Sequence, residues 1–162
     1  MPNIHIRPTT SGDADFINRT INRLWGADFI VVKGKVYYPA DQPGYIAEEG
    51  NETMGVINYA IADGDCQVLC LNSVVEGRGV GSMLVEKVKD TAKQNSCRRL
   101  WLITTNDNTT ALRFYQKMGF QLAALHRGAV ERSRQIKPQI PLLGNEGIPI
   151  CDEIELEMSL KS

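Results

Sequence analysis

The sequence lacks the features that would point to a membrane or to a nucleic acid. No apolar run approaches the ~20 residues that span a bilayer, and the N-terminal segment MPNIHIRPTTSGD has no apolar stretch like that of a signal peptide. Neither charge is in excess, because 18 basic side chains stand against 19 acidic ones, for a net charge of -1. Such a surface has no broad field for holding nucleic acid or an anionic membrane. We therefore predict a cytoplasmic protein that binds neither.

Metal-binding and disulfide patterns are also missing. The four cysteines, Cys66, Cys70, Cys97 and Cys151, include no Cys-x-x-Cys pair and no cysteine and histidine spacing suited to zinc. In a cytoplasmic protein we expect reduced packing residues, and we expect no metal. Cys70 lies in a strand beside the site predicted below, but nothing adjacent in the sequence would activate it as an acyl-carrying nucleophile.

Length and composition are those of one globular domain. The chain has 162 residues, of which 43% are hydrophobic and 23% charged, enough for a sizeable core. It contains no internal repeat, low-complexity tract or linker, so we predict a single domain over residues 1–162.

Hydrophobic periodicity predicts a fold of the α/β (α+β) class. We expect a mixed, mostly antiparallel central sheet of six to seven strands flanked by helices. The predicted strands cover residues 4–7, 29–32, 35–38, 45–49, 53–60, 67–75, 100–105, 120–125 and 153–160, and the predicted helices cover 14–25, 82–95, 109–118 and a turn at 129–135. In the last strand the alternation predicts Ile154 and Leu156 inward and the acidic residues outward. Trp25 and Trp101 are predicted to pack in the core.

A glycine-rich turn, Glu76-Gly77-Arg78-Gly79-Val80-Gly81-Ser82, joins the strand 67–75 to the next helix. The first turn of a helix has unpaired N–H groups and a positive dipole end, so a glycine-lined approach lets a pyrophosphate bind there. The turn is not a Walker A motif, because no lysine precedes Ser82, and it is not a dinucleotide fingerprint, because Leu84 replaces the required glycine or alanine. Alone, it is a weak signal that is also compatible with an ordinary tight turn.

A second motif, Asn108-x-x-Ala111-x-x-Phe114-Tyr115-x-x-x-Gly119-Phe120, forms a helical stripe that Asn108 would cap. Together with Glu76-x-x-Gly79-x-Gly81 upstream, in this order and spacing, it resembles the GNAT acetyltransferase superfamily. The resemblance covers roughly residues 67 to 125, and the upstream order of strand, helix and hairpin strands is also that of the superfamily.

The resemblance implies transfer of an acetyl group from acetyl-CoA to a small-molecule or peptide amine acceptor, directly in a ternary complex and without a metal. Tyr115 would be the general acid for the departing thiolate, a role suited to a phenol of pKa about 10. The cofactor-binding residues implied are Val74 and Val75 along the pantetheine arm, the backbone of Arg78, Gly79, Val80, Gly81 and Ser82 at the pyrophosphate, and Asn108 at the CoA arm.

One position departs from the family pattern, since Glu76 stands where glutamine or arginine is usual. We expect a modest effect, because backbone N–H groups would hold the phosphates and Arg78 would offset the charge. A non-catalytic CoA-binding sensor or interaction module on the same fold remains the alternative, although the presence of Tyr115 and Asn108 argues against it.

The general base and the acceptor stay open. The strand 66–73 has no carboxylate, so the base would be Glu48 or Glu49, Asp152 or Glu153, or solvent, with His126 as a further proton relay. The proline-rich stretch 126–152 would wall the acceptor pocket. Its Arg127, Arg132 and Arg134 would receive an anionic part of a substrate. A homodimer is also open, with the last strand pairing across the interface.

Overall fold

The computed structural model of the protein describes residues 3–74 and 77–161. The strands are β1 (Ile4–Pro8), β2 (Ile30–Val32), β3 (Lys35–Tyr37), β4 (Gly44–Glu49), β5 (Glu52–Ala62), β6 (Asp65–Ser73), β7 (Arg99–Thr105), β8 (Gln121–His126) and β9 (Glu153–Ser159). The helices are α1 (Ala14–Trp25), α2 (Val80–Gln94), α3 (Thr109–Lys117) and α4 (Ala129–Ile136). None of the helices in the described residues is long and apolar enough to cross a membrane.

Seven strands form one sheet in the order β1-β4-β5-β6-β7-β9-β8, and β2 and β3 form a separate hairpin. All neighbouring strands of the large sheet run antiparallel except β6 and β7. The predicted mixed, mostly antiparallel sheet is confirmed. It matches the predicted strand count because hydrophobic alternation is a local signal that the sequence carries in full.

The sheet opens between β6 and β7. Their parallel pairing runs only from Cys66 opposite Leu100 to Val68 opposite Leu102. Beyond these residues β6 stays paired with β5 and β7 stays paired with β9, each on its outer side. The inner edges of the two strands therefore face a gap in the middle of the sheet.

Helices and the small hairpin cover both faces of the sheet. On one face, α2 buries Leu84, Val85 and Val88 in the main hydrophobic core. On the other, Ile17 and Ile21 of α1 form a second core with side chains of β2, β4, β5 and β6. Because both faces are covered, β5 contains the continuous buried run from Met54 to Tyr59, as expected for a central strand.

The last strand differs from its prediction in two ways. Glu153 and Glu155, predicted to face solvent, are only 3% and 7% exposed, because β9 is an interior strand and elements cover both of its faces. Its neighbours β7 and β8 also occupy both of its edges. The prediction that it pairs across a dimer interface is therefore wrong, and the homodimer itself stays a prediction.

Neither tryptophan packs as predicted. Trp25 ends α1 and is 42% exposed. Trp101 is half-buried on β7, with the Arg99 guanidinium 4.8 Å from its ring centroid. Neither ring belongs to either of the two hydrophobic cores.

Candidate active site

The glycine-rich turn leads directly into the N-terminus of α2. Gly77 and Gly79 have φ angles of 80° and 73°, which strain any residue with a Cβ, and Gly79 is the N-cap. A Cβ at either glycine would meet no described atom within 4 Å beyond its chain neighbours. The turn therefore has open space beside it where it enters the positive end of the α2 helix dipole.

A cleft of about 550 Å³ lies at this helix terminus, between the end of β6, the glycine-rich turn and α3. Gly81 lies where the cleft is narrow, because a Cβ there would stand 3.4 Å from the Phe114 ring. Six of the predicted site residues line the cleft together: Gly79, Val80, Gly81, Ser82, Asn108 and Tyr115.

Asn72 lines the same cleft and has an unpaired side-chain donor. Its Nδ2 is buried, and no described residue accepts a hydrogen bond from it. A buried donor without a partner is unfavourable until a ligand or water accepts its hydrogen bond. The N–H groups of α2 and the Asn72 amide fit a ligand with phosphates at one end and carbonyl groups along an arm, as CoA has.

Tyr115 lies on α3 with its side chain at the wall of this cleft. Its ring makes edge contacts with Phe114 and Phe120 at centroid distances of 5.0 and 5.4 Å. Burial, and to a smaller extent the nearby Cys70, raises the pKa of the Tyr115 phenol. The hydroxyl is therefore protonated at neutral pH, and it is a weaker acid than a solvent-exposed phenol.

Asn108 caps α3, as predicted, because its Oδ1 accepts a hydrogen bond from the Ala111 N–H at 3.1 Å. The cap holds the side chain in place at the mouth of the gap between β6 and β7. Asn108 lines both the cleft at α2 and a second cavity.

This second cavity, of about 180 Å³, lies against the sheet face that carries the small hairpin and α4. Leu69 and Ile103 line it, each one residue beyond the last paired residue of β6 and β7. Trp25 also contributes to its wall and is partly exposed. The cleft and the cavity thus share Asn108 where the two strands part.

Of the four carboxylates predicted as bases, the structure places one in this cavity. Glu48 is paired with Arg7 at 2.8 Å, and Glu49 accepts a hydrogen bond from Arg78 at 3.1 Å. Asp152 accepts a hydrogen bond from the Gly128 N–H at 2.8 Å, in a turn next to α4. Only Glu153 among them lines the cavity.

Glu153 is buried, and that burial raises the pKa of its carboxyl group. Its Oε1 accepts a hydrogen bond from the Lys33 N–H at 3.2 Å, which opposes the rise. The positive charges of Lys33 on the hairpin, His126 on β8 and Arg132 on α4 oppose it more weakly. A carboxylate with a raised pKa is a stronger base than an exposed one, as a general base requires.

Lys137, which lies in the proline-rich stretch and was not among the predicted site residues, is the cation of this cavity. It is 2% exposed, and burial lowers the pKa of its ammonium group. Only its position four residues after Ser133, at the end of the predicted helical turn, could have placed it on the cavity side of that turn.

Arg134 was predicted to receive a substrate anion, and that prediction is wrong. Its guanidinium donates to the carbonyl oxygens of Ile140 at 3.2 Å and of Ile150 at 2.6 Å, and it also contacts Pro141 and Glu131. These bonds hold the proline-rich stretch against α4, so the side chain is structural. Arg132 lies instead in a neighbouring cavity, which His126 also lines. Glu153 lines both this cavity and the second cavity.

Cys70 is a buried thiol whose Sγ donates to Asn58 Oδ1 at 3.2 Å. Burial raises the pKa of the thiol to about 12, so it is protonated at neutral pH and is not an activated nucleophile.

The other residues predicted around the CoA site are Val74, Val75, Glu76 and Arg78. Val74 is 55% exposed and does not line the cleft in the described part of the chain. The Arg78 guanidinium is paired with Glu49, which ties the turn to β4. Val75 and Glu76 lie outside the described residues. Their roles at the CoA arm and pyrophosphate stay predictions.

Known proteins share this architecture. Residues 19–120 match the model of the Acetyltransferase (GNAT) family. The chain is 36% identical over 159 residues to the uncharacterized protein YxbD of Bacillus subtilis, covering 98% of this chain and 100% of YxbD.

Solved structures with low sequence identity have the same fold. A GNAT family acetyltransferase from Elizabethkingia anophelis with acetyl-CoA bound gives a TM-score of 0.73 at 22% identity, covering 98% of this chain and 99% of that one. A Bacillus subtilis acetyltransferase in complex with CoA gives 0.71 at 17% identity, covering 99% and 100%. These likenesses show the fold of the chain. The chain belongs to the GNAT acetyltransferase family.

Proposed function

We propose that this protein transfers an acetyl group from acetyl-CoA to a primary amine, directly and within a ternary complex. The observation that carries the proposal is that the cleft at α2 and the cavity on the opposite face share Asn108 where β6 and β7 part. A thioester that enters from the cleft and an amine held in the cavity would approach each other through this gap. The acetyl-CoA and CoA bound to structural relatives support the donor.

Backbone groups would bind the donor. The N–H groups at the start of α2 would hold the pyrophosphate, since the glycines leave them uncovered. Asn72 would give its unpaired Nδ2 hydrogen to a carbonyl oxygen of the arm.

Two side chains would handle the protons. An acceptor arrives as an ammonium ion, and Glu153 would take one proton to free the nitrogen lone pair. The nitrogen then bonds to the thioester carbon, the C–S bond breaks, and Tyr115 would give its proton to the sulfur. The nitrogen releases its second proton to solvent, and the Tyr115 phenolate takes one proton back from solvent, so the protons balance.

Calorimetric titration with acetyl-CoA tests the donor site. Gly81→Glu would fill the narrow part of the cleft and place a negative charge beside the phosphates, so we expect binding to be lost. Gln94→Glu adds the same charge at the exposed far end of α2 and should bind like the parent. A parent protein that fails to bind acetyl-CoA would contradict the proposal.

Turnover separates the enzyme from a sensor. The parent protein with acetyl-CoA and a panel of primary amines should release free CoA thiol, measured by a thiol reagent. Tight donor binding with no thiol release above the rate without amine would favour the non-catalytic alternative.

A further inference from the structure

We infer that the second cavity binds a small amino acid, with its carboxylate at Lys137 and Ser133 of the α4 end and its amino group at Glu153. The inference rests on the proposed function, because it names the acceptor for the same transfer. Every residue of the carboxylate site lies in the described chain and lines one cavity.

Lys137 is a buried cation with unused hydrogen-bonding capacity. Its Nζ donates one hydrogen bond, to the Phe29 carbonyl oxygen at 2.8 Å, and lies 5.1 Å from the Phe29 ring centroid. No carboxylate of residues 3–74 and 77–161 forms an ion pair with it. An ammonium group has three donors, and a buried charge is stable only when it is paired. Two of its N–H groups are therefore left for an anion that the described residues do not supply.

Ser133 supplies a second donor on the same side of the same segment. It is 2% exposed, and its Oγ has no hydrogen-bond partner among the described residues. Lys137 follows it by four residues, and the Lys137 N–H donates to the Ser133 carbonyl oxygen at 2.8 Å, so one helical turn separates them. Both residues line the same cavity, so a carboxylate bound by the Lys137 ammonium would also offer an acceptor to the Ser133 hydroxyl.

The opposite charge in the cavity is Glu153, on β9 across from α4. No ion pair between Lys137 and Glu153 forms in the described structure, so the two charges stand apart within one small space. The remaining walls include apolar side chains of the hairpin and the proline-rich stretch: Ile30, Val32, Val130 and Ile140. A zwitterion with an apolar side chain complements all three parts of this surface.

The cavity is small, with a volume of about 180 Å³. A small amino acid fits this space, whereas an aminoglycoside or a long polyamine would extend out of it into solvent. The first residue of a peptide would also fit, but its carbonyl group belongs to an amide and has no negative charge to pair with Lys137.

The test compares free amino acids with their amides. Alanine, valine and leucine and the three matching amides are acetylated by the parent protein, and the rate is followed by thiol release. We expect kcat/KM for each free acid to exceed that of its amide by about ten- to a hundredfold, the usual effect of a hydrogen-bonded buried charge. Equal rates for acid and amide would overturn the inference.

Two variants locate the carboxylate. Lys137→Met keeps the length of the side chain without its charge, and we expect KM for the acids to rise at least tenfold while the amides change little. Ser133→Ala removes a hydroxyl that has no hydrogen-bond partner among the described residues, so thermal unfolding should be unchanged while KM for the acids rises several-fold. If Lys137→Met impairs the acetylation of acids and amides equally, Lys137 does not bind the carboxylate of the substrate.

Binding measurements separate this inference from the proposed function. The parent protein and both variants are titrated with acetyl-CoA, and the CoA-loaded parent is titrated with valine. If acetyl-CoA binds but valine does not, the amino acid site is refuted and the donor site stands. If acetyl-CoA itself does not bind, the proposed function has failed.

Discussion

At the scale of single residues, the pH dependence of Glu153 is the sharpest test of the base. Burial raises the pKa of its carboxyl group, so the low-pH limb of kcat/KM should lie above the ordinary carboxyl range near pH 4.3. In Glu153→Gln this limb should disappear, and kcat should fall by about 10²- to 10⁴-fold. A limb that persists in the variant would assign the base to another group.

Glu153→Gln should raise the stability of the fold at pH 7, although it lowers kcat. Because the folded pKa of Glu153 lies above its unfolded value, the ionised group destabilises the fold as pH rises through the folded pKa. Glu153→Gln removes this penalty and keeps an oxygen for the Lys33 N–H. Thermal unfolding should show the variant to be more stable than the parent at pH 7, with the difference vanishing below the unfolded pKa. A variant that is less stable at pH 7 would contradict the buried ionised carboxylate.

Tyr115→Phe separates chemistry from packing. The ring contacts with Phe114 and Phe120 remain, so the unfolding temperature should change little. The proton donor is lost, so kcat should fall by about 10²- to 10⁴-fold with the affinity for acetyl-CoA unchanged. Full activity in the variant would show that solvent protonates the thiolate.

Residue roles were predictable from the sequence where the cause is local. Asn108 caps α3 because a cap depends on the three residues that follow it. The choice of Glu153 among four carboxylates depends on burial by the hairpin and α4, which are distant in the chain. Lys137 was missed for the same reason.

At the scale of elements, the N-terminus of α2 distinguishes two glycines. Gly79 has a φ of 73°, so Gly79→Ala should lower the free energy of unfolding by about 1 to 2 kcal/mol. Gly81 has an ordinary helical conformation inside α2, so Gly81→Ala should leave stability nearly unchanged. Its methyl group would enter the cleft beside Phe114 and weaken acetyl-CoA binding. Urea unfolding and calorimetry on the pair would measure both effects, and equal losses of stability would contradict this assignment.

Element order was predictable, and strand order was not. Each helix and strand has its own periodicity, so α1 begins and ends at the predicted residues. The place of β9 between β7 and β8 follows from long-range pairing that no local pattern records. That placement is what buries Glu153 and brings it to the cavity.

At the scale of the whole molecule, the bound donor should occupy the gap between β6 and β7. Beyond Val68 and Leu102 the two strands have no pairing with each other, so their inner edges offer backbone groups to a ligand. The arm of acetyl-CoA in this gap would form hydrogen bonds with these backbone groups and so connect the two halves of the sheet. Hydrogen exchange in residues 69–73 and 103–105 should therefore slow when acetyl-CoA is added.

The control for this prediction lies in the same sheet. The register of β4 and β5 is continuous from Gly44 to Ala47, so its exchange should change only by the global gain in stability, about 2.7 kcal/mol at a donor concentration of 100 Kd. Slowing that is confined to the gap-side residues would place the arm between β6 and β7. Uniform slowing across both regions would mean that the donor stabilises the fold without entering the gap, and the transfer path past Asn108 would then lose its support.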